Sequence, residues 1–113
     1  MQIKRGDVFY VDLDPTKGSE QAGTRPVLVI QNDVGNEAAP TVIVAPVTTK
    51  AFSKNYPTNV HVPRGTAGLR EDSTVLLSQI RTIDKGRLER RVGRLPTEFM
   101  RRVDEAIKVS LDL

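Results

Sequence analysis

The sequence predicts a mainly β fold, a small and strongly bent antiparallel sheet or partial barrel followed by one C-terminal helix. Three observations predict it. Short runs of β-branched and aromatic residues recur between residues 8 and 95, punctuated by Gly, Pro, Asn and Asp. From Glu98 onward the pattern changes, with Phe99, Val103, Ile107 and Leu111 recurring every four residues. A length of 113 residues allows one domain, residues 1–113, with one modest core and no linker, repeat or low-complexity segment.

Val8 to Leu13 reads as the first strand, and Asp14-Pro15-Thr16-Lys17-Gly18 breaks it with turn chemistry, the loop continuing through Gly23. Pro26 biases Arg25 toward extended backbone and withholds one ladder donor, which suits the start of a strand. Val27 to Gln31 is then a second strand, apolar on both faces and therefore central. A turn or a single helical turn fills residues 32–40, and Thr41 to Val47 is a third strand whose Pro46 implies a bulge or an edge. A polar loop over 50–57 carries Phe52 and Tyr56. Asn59 to Val62 is a short strand before the Gly65–Gly68 turn. Ser73 to Leu77 is another, with Arg81 to Ile83 continuing after a break at Ser78-Gln79 and Arg91 to Leu95 as the last. Pro96-Thr97-Glu98 supplies a helix start, and the apolar stripe that follows predicts a helix to Leu111.

The composition excludes several classes. No apolar run approaches the roughly 20 residues that a membrane span requires, and the first residues lack the apolar stretch of a signal peptide. With no cysteine, disulfides and thiolate metal sites are ruled out, and a cytoplasmic protein is expected. The net charge of +3 is mild, but Arg81 to Arg102 holds eight basic residues against three acidic ones. Such a cluster attracts a polyanion or an acidic peptide, or it forms a solvated surface; charge by itself leaves both open.

The single histidine, His61, sits in an alternating strand and reads as a surface or packing residue. Gly18, Gly23 and Gly35 form no phosphate loop, since no Gly-Lys-Ser/Thr follows. Asp12 and Asp14 lack a partner at metal-ligand spacing, so no metal site is expected. What remains is polar chemistry at strand ends. If the second and third strands pair antiparallel, Thr48 comes near Arg25, either as a site or as a loop-end threonine capping backbone groups.

The segments GDVFYVDLDPTKGSEQAGTRPVLVIQND, TVIVAPVTTK, YPTNVHV, DSTVLLSQIRTIDKGRL and MRRVDEAIKVSL follow one another along nearly the whole chain. Together they resemble the MazF/PemK/Kid family of toxin endoribonucleases. The resemblance implies an SH3-like small barrel with a C-terminal helix (the CcdB/PemK-like toxin fold), assembled as a homodimer. It implies metal-independent, sequence-specific cleavage of single-stranded mRNA, without cofactor, to a 2′,3′-cyclic phosphate and a 5′-hydroxyl. It also implies a cognate MazE-like antitoxin that lays an acidic disordered segment across the dimer. Carried onto this sequence, the resemblance gives catalytic roles to Arg25, Thr48 and Glu20 and an RNA contact to Gln79. Ser19, Gln21, Thr49 and Tyr56 are further candidate RNA contacts, as edge, phosphate or stacking groups, with Ser78 and Arg81 weaker ones. A loop histidine serves the Kid branch; Lys17 and Thr24 occupy that loop here, so a histidine-dependent mechanism is not expected. Two other readings compete: a CcdB-like gyrase poison, which acts through a tryptophan this chain lacks, and an RNA-binding barrel without catalysis.

Overall fold

Alternation along the first strands sets the architecture. The computed structural model describes residues 1–113. Strand β1 (Asp7–Asp12) pairs antiparallel with β2 (Thr24–Val29), Val8 opposite Leu28 and Val11 opposite Arg25. After the short helix α1 (Asp33–Ala38), β3 (Thr41–Thr48) pairs with the other edge of β2, Val29 opposite Val44. Successive residues on these strands face opposite sides. Val8, Leu28, Ala45 and Val47 therefore enter one apolar cluster, while Phe9, Val11, Val27, Val29, Val42 and Val44 enter a second. The sheet is buried on both faces, as the apolar run of β2 predicts.

β3 is shared between two neighbours along its free edge. Its first half, Thr41 to Val44, pairs with β6 (Arg81–Asp84), and its end, Val47 and Thr48, pairs with β5 (Ser73–Leu76). Pro46, which has no N–H to offer, falls between the two paired stretches, where the strand changes partner. β4 (Asn59–Val62) continues beyond β5, and β7 (Leu88–Arg94) lines the far side of β1, with register shifts at Val8/Phe9 and Tyr10/Val11. Such irregularities sharpen the local twist. The strand order β4-β5-β3-β2-β1-β7 leaves the sheet bent but open, so the expected barrel is not closed by hydrogen bonds.

Helix α2 (Thr97–Leu111) covers one face, burying Val103 and Ala106 in the cluster that also holds Val8, Leu28 and Leu77. The predicted stripe is corrected at its end, because Leu111 is 56 % exposed while Met100 and Ile107 pack. A four-residue spacing turns about 40° further round a 3.6-residue helix at each step. By Leu111 the stripe has left the core face. Strand boundaries shift as well: β2 starts at Thr24 rather than Val27 and β7 at Leu88 rather than Arg91. A tight turn before β5 depends on Gly68, whose φ of +75° favours glycine and whose missing Cβ leaves room for the Val92 carbonyl.

Much of the basic cluster has structural partners. Asp7, 1 % exposed, accepts hydrogen bonds from the Lys4 N–H at 2.9 Å, from Arg91 Nε at 3.2 Å and from Arg94 Nε at 3.0 Å. Arg90 stacks over the Tyr10 ring at 4.6 Å and Arg102 over Phe99 at 5.2 Å. These cations are tied to the fold, which reduces the charge free to meet a polyanion.

The entry to α1 is pH-sensitive. Asp33 accepts the Arg5 N–H at 2.7 Å and the Asn36 amide at 3.1 Å. These bonds, the Arg5 one foremost, hold its carboxyl below the usual carboxylate range. A lowered folded-state pKa stabilises the fold above about pH 4 and loses that effect as pH falls through the carboxylate range. Urea unfolding at pH 6 and pH 3 is expected to show a smaller acid loss for Asp33→Asn than for wild type. Equal losses would remove Asp33 from the account.

Candidate functional site

The link between β1 and β2 is an ordered loop because its polar groups find partners in the rest of the fold. Its neck is closed by Leu13 N–H to the Gly23 carbonyl at 3.0 Å and by Gly23 N–H to Asp14 Oδ1 at 3.2 Å. Arg81 donates to the Leu13 carbonyl at 3.1 Å, and Arg87 donates to the Asp14 carbonyl. At the tip the Glu20 carboxylate accepts the Lys17 N–H, and the Glu20 N–H returns to the Lys17 carbonyl at 3.1 Å. Gln79, ending the 3-10 turn Leu77–Gln79, anchors the descending arm. Its Oε1 accepts the Gln21 N–H at 2.8 Å, and its Nε2 reaches toward the Ser19 carbonyl at 3.5 Å.

Arg25 is the second residue of β2 and is half-buried. Its Nε–H donates to the Ala22 carbonyl at 2.9 Å and its Nη1 donates to the Gln21 side-chain oxygen. Two of its five N–H donors are engaged in this way, both by neutral oxygens, and no carboxylate lies within ion-pairing distance. A positive charge with no counter-charge and with donors to spare is set up to receive an anion.

Thr48 is 7 % exposed and ends β3. The β2–β3 ladder runs antiparallel and stops at Val27 opposite Pro46; two residues further along each strand stand Arg25 and Thr48. The antiparallel pairing that the sequence reading required is therefore present. No hydrogen bond joins the two side chains, and the Thr48 hydroxyl accepts the Lys50 N–H at 3.2 Å.

The remaining candidates divide between two concavities. A cavity of about 370 Å³ gathers Ser19, Glu20, Gln21 and Gln79, together with Ser78 and Arg81. A groove of about 930 Å³ takes Thr49 and Tyr56 instead, between the segment after β3 and the outer half of α2. Tyr56 is 47 % exposed and meets Phe52 edge-on at 6.2 Å. After Pro46 the strand pairs with β5, and the chain that follows Thr48 lines the groove with β4, β5 and α2. The predicted set is thus a cavity at the loop and a separate groove, not one pocket, and neither Arg25 nor Thr48 lines either of them.

Ser78 and Arg81, the weaker candidates, line the smaller cavity beside the stronger ones. The Arg87 contact was missed, because nothing in a sequence shows an arginine reaching the carbonyl of a residue 73 positions away. Lys50, Lys54 and Arg101, with the Phe99-stacked Arg102, line the groove against Asp72 and Glu105 and leave its lining net basic. No cluster of three or more His, Cys, Asp or Glu side chains is placed to hold a metal ion.

An open, bent sheet with a C-terminal helix, carrying at the loop–strand junction a guanidinium with no carboxylate partner, defines a small β-rich protein. Comparison with known proteins supplies the family. Residues 4–111 match the PemK-like, MazF-like toxin of type II toxin-antitoxin system, and the chain belongs to that family. It is 51 % identical over 113 residues to Endoribonuclease EndoA of Bacillus subtilis (strain 168), covering all of this chain and 97 % of the relative. Its fold is similar to a crystal structure of MazF from Deinococcus radiodurans (TM-score 0.85, 25 % identity, 100 % and 99 % of the two chains covered). A MazE–MazF structure from the same organism also matches, with TM-score 0.78, 25 % identity and 100 % and 98 % coverage.

Proposed function

We propose that this chain, residues 1–113 as one toxin domain, is the endoribonuclease of a type II toxin–antitoxin pair. It cleaves single-stranded mRNA at a short sequence motif and so arrests growth. Family membership and the 51 % identity to an endoribonuclease support the class of activity. The observation that carries the chemistry is the Arg25 guanidinium, which has no counter-ion and is held by neutral oxygens where loop meets strand.

Internal cleavage of RNA begins with in-line attack of a 2′-oxygen on the adjacent phosphorus. The 2′-oxygen loses its proton and the P–O5′ bond breaks. The departing 5′-oxygen takes up a proton, leaving a 2′,3′-cyclic phosphate and a 5′-hydroxyl. Negative charge grows on the phosphoryl oxygens between these events. A preorganised cation stabilises that charge without having to reorganise at the moment of reaction. In this reading Arg25 supplies the stabilisation that a metal supplies in other nucleases, so the reaction needs no metal or other cofactor. A guanidinium keeps its proton throughout the physiological range, which makes arginine a poor general base. Thr48 orients the phosphate through its hydroxyl. Glu20 forms no ion pair with Arg25, its carboxylate accepting the Lys17 N–H instead, and in this reading it assists the 2′-hydroxyl. In this reading Ser19 of the loop and Gln79 beside it read RNA, and Thr49 and Tyr56 belong to the groove that receives the strand on leaving.

The partners in this reading are a second copy of the chain, forming a homodimer, and a MazE-like antitoxin whose acidic disordered segment meets the net basic groove. A MazE–MazF structure among the matches supports the antitoxin. No helix is long and apolar enough to cross a membrane, and the cytoplasm is the compartment that holds the substrate.

The test uses purified protein, a long defined transcript and EDTA. Discrete internal cuts with cyclic-phosphate ends are expected. RNA bound and left intact would instead make the chain a binding barrel, and cleavage abolished by EDTA would overturn metal independence.

A further inference from the structure

Resting on the reading of Arg25 as the phosphate site, we propose that Gln21 is an intramolecular occupant of that site which the substrate must displace. The side-chain oxygen of Gln21 accepts a hydrogen bond from Arg25 Nη1, the kind of terminal donor that would meet a phosphoryl oxygen. The fork is therefore partly filled in the resting protein by an uncharged stand-in.

Three features of the loop fit an occupant built to leave. The first is the choice of acceptor. Glu20, the next residue, carries a carboxylate that would pair with a guanidinium far more strongly, but that carboxylate is turned to the Lys17 N–H. Arg25 is given the weaker, neutral partner, so its charge remains uncancelled while one of its donors is covered. The second is the anchoring of the backbone. Gln79 Oε1 holds the Gln21 N–H at 2.8 Å from a turn 58 residues away, so position 21 is fixed independently of its side chain. A rotation of the Gln21 side chain clears the fork, and the loop does not have to open. The third is the second clamp on the guanidinium. The Ala22 carbonyl holds Arg25 Nε at 2.9 Å, so the arginine keeps its orientation when the Gln21 oxygen departs. The consequence is a toll on any anion that takes the Nη1 position, equal to one hydrogen bond between a neutral acceptor and a charged donor.

This assignment opposes the one drawn from the sequence, in which Gln21 helps to hold RNA. The two differ in sign. An RNA contact removed weakens binding, whereas an occupant removed strengthens it. The probe is a single-stranded DNA oligonucleotide, which presents phosphates but lacks the 2′-hydroxyl and is not cleaved. Its affinity is measured for wild type, Gln21→Ala, Arg25→Ala and the double variant. Gln21→Ala is expected to bind about tenfold more tightly than wild type, the lower end of the worth of one hydrogen bond to a charged group, as suits a half-buried site. That gain should vanish when Arg25 is already alanine. Gln21→Glu, which places a carboxylate on the fork, is expected to bind more weakly than wild type, and by a larger factor when Arg25 is present than when it is alanine. Unchanged or weakened binding by Gln21→Ala, or an effect of equal size without Arg25, would overturn the proposal. If Arg25→Ala binds the oligonucleotide as well as wild type does, the failure lies instead in the reading of Arg25 as a phosphate site.

Discussion

Arg25→Ala is expected to lower the rate of RNA cleavage by roughly a hundredfold to a thousandfold, the usual cost of removing one preorganised donor from a developing oxyanion. The loss should appear in kcat as well as in kcat/KM, because the interaction grows as charge builds on the phosphoryl oxygens. Arg25→Lys separates charge from shape. Lysine restores the cation, but a compact ammonium cannot keep a donor on Ala22 and present a planar pair of N–H groups to phosphate. It should therefore recover only a minor part of the lost rate. Folding should be little affected, since the two bonds Arg25 makes are to loop oxygens near the surface, each worth about 1 kcal/mol. Single-turnover rates with matched thermal melts check both parts. Wild-type cleavage by Arg25→Ala would place the chemistry elsewhere.

Phe9→Ala is expected to cost about 3–5 kcal/mol of stability. Phe9 is fully buried in the cluster formed with Val11, Val27, Val29, Val42 and Val44, on the face of the sheet that α2 does not cover. The neighbours are mostly β-branched residues on paired strands, fixed by the ladders β1–β2 and β2–β3, and cannot collapse into the vacated volume. The loss is a large share of the 5–15 kcal/mol that a domain typically holds in total. For a chain of this size it corresponds to a fall in melting temperature of roughly 10–20 °C. Because the same strands carry Arg25 and Thr48, activity should fall with the folded fraction and not independently of it. Denaturant titration measures the effect, and a loss below about 1 kcal/mol would mean that this cluster is not a working core.

What could be read from the sequence divides along physical lines. β-branched runs are local signals, so the existence of each strand was legible, and residues 59–62 were found with their observed ends. Strand limits set by a distant partner were not. Thr24 to Pro26 join a strand because Asp12, Val11 and Tyr10 lie opposite, and Leu88 does so because β1 extends past it. Antiparallel pairing of β2 and β3 was legible; the ladder itself ends two residues short of Arg25 and Thr48, and no hydrogen bond joins their side chains. The separation of Thr49 and Tyr56 from the loop cluster follows from the change of partner at Pro46, which local pattern cannot encode. Nor does a sequence show rotamers. That Gln21 and not Glu20 meets the guanidinium is decided by the fold of the loop, one residue either way.

Side-chain NMR of Arg25, titrated with an uncleaved single-stranded oligonucleotide, probes the unpaired guanidinium at the atoms concerned. The Arg25 Nε and Nη resonances should shift and tighten with the same affinity as the binding isotherm, ahead of those of Arg91 and Arg94, which Asp7 already holds. Saturation of the protein with oligonucleotide while the Arg25 resonances stay where they began would contradict the account.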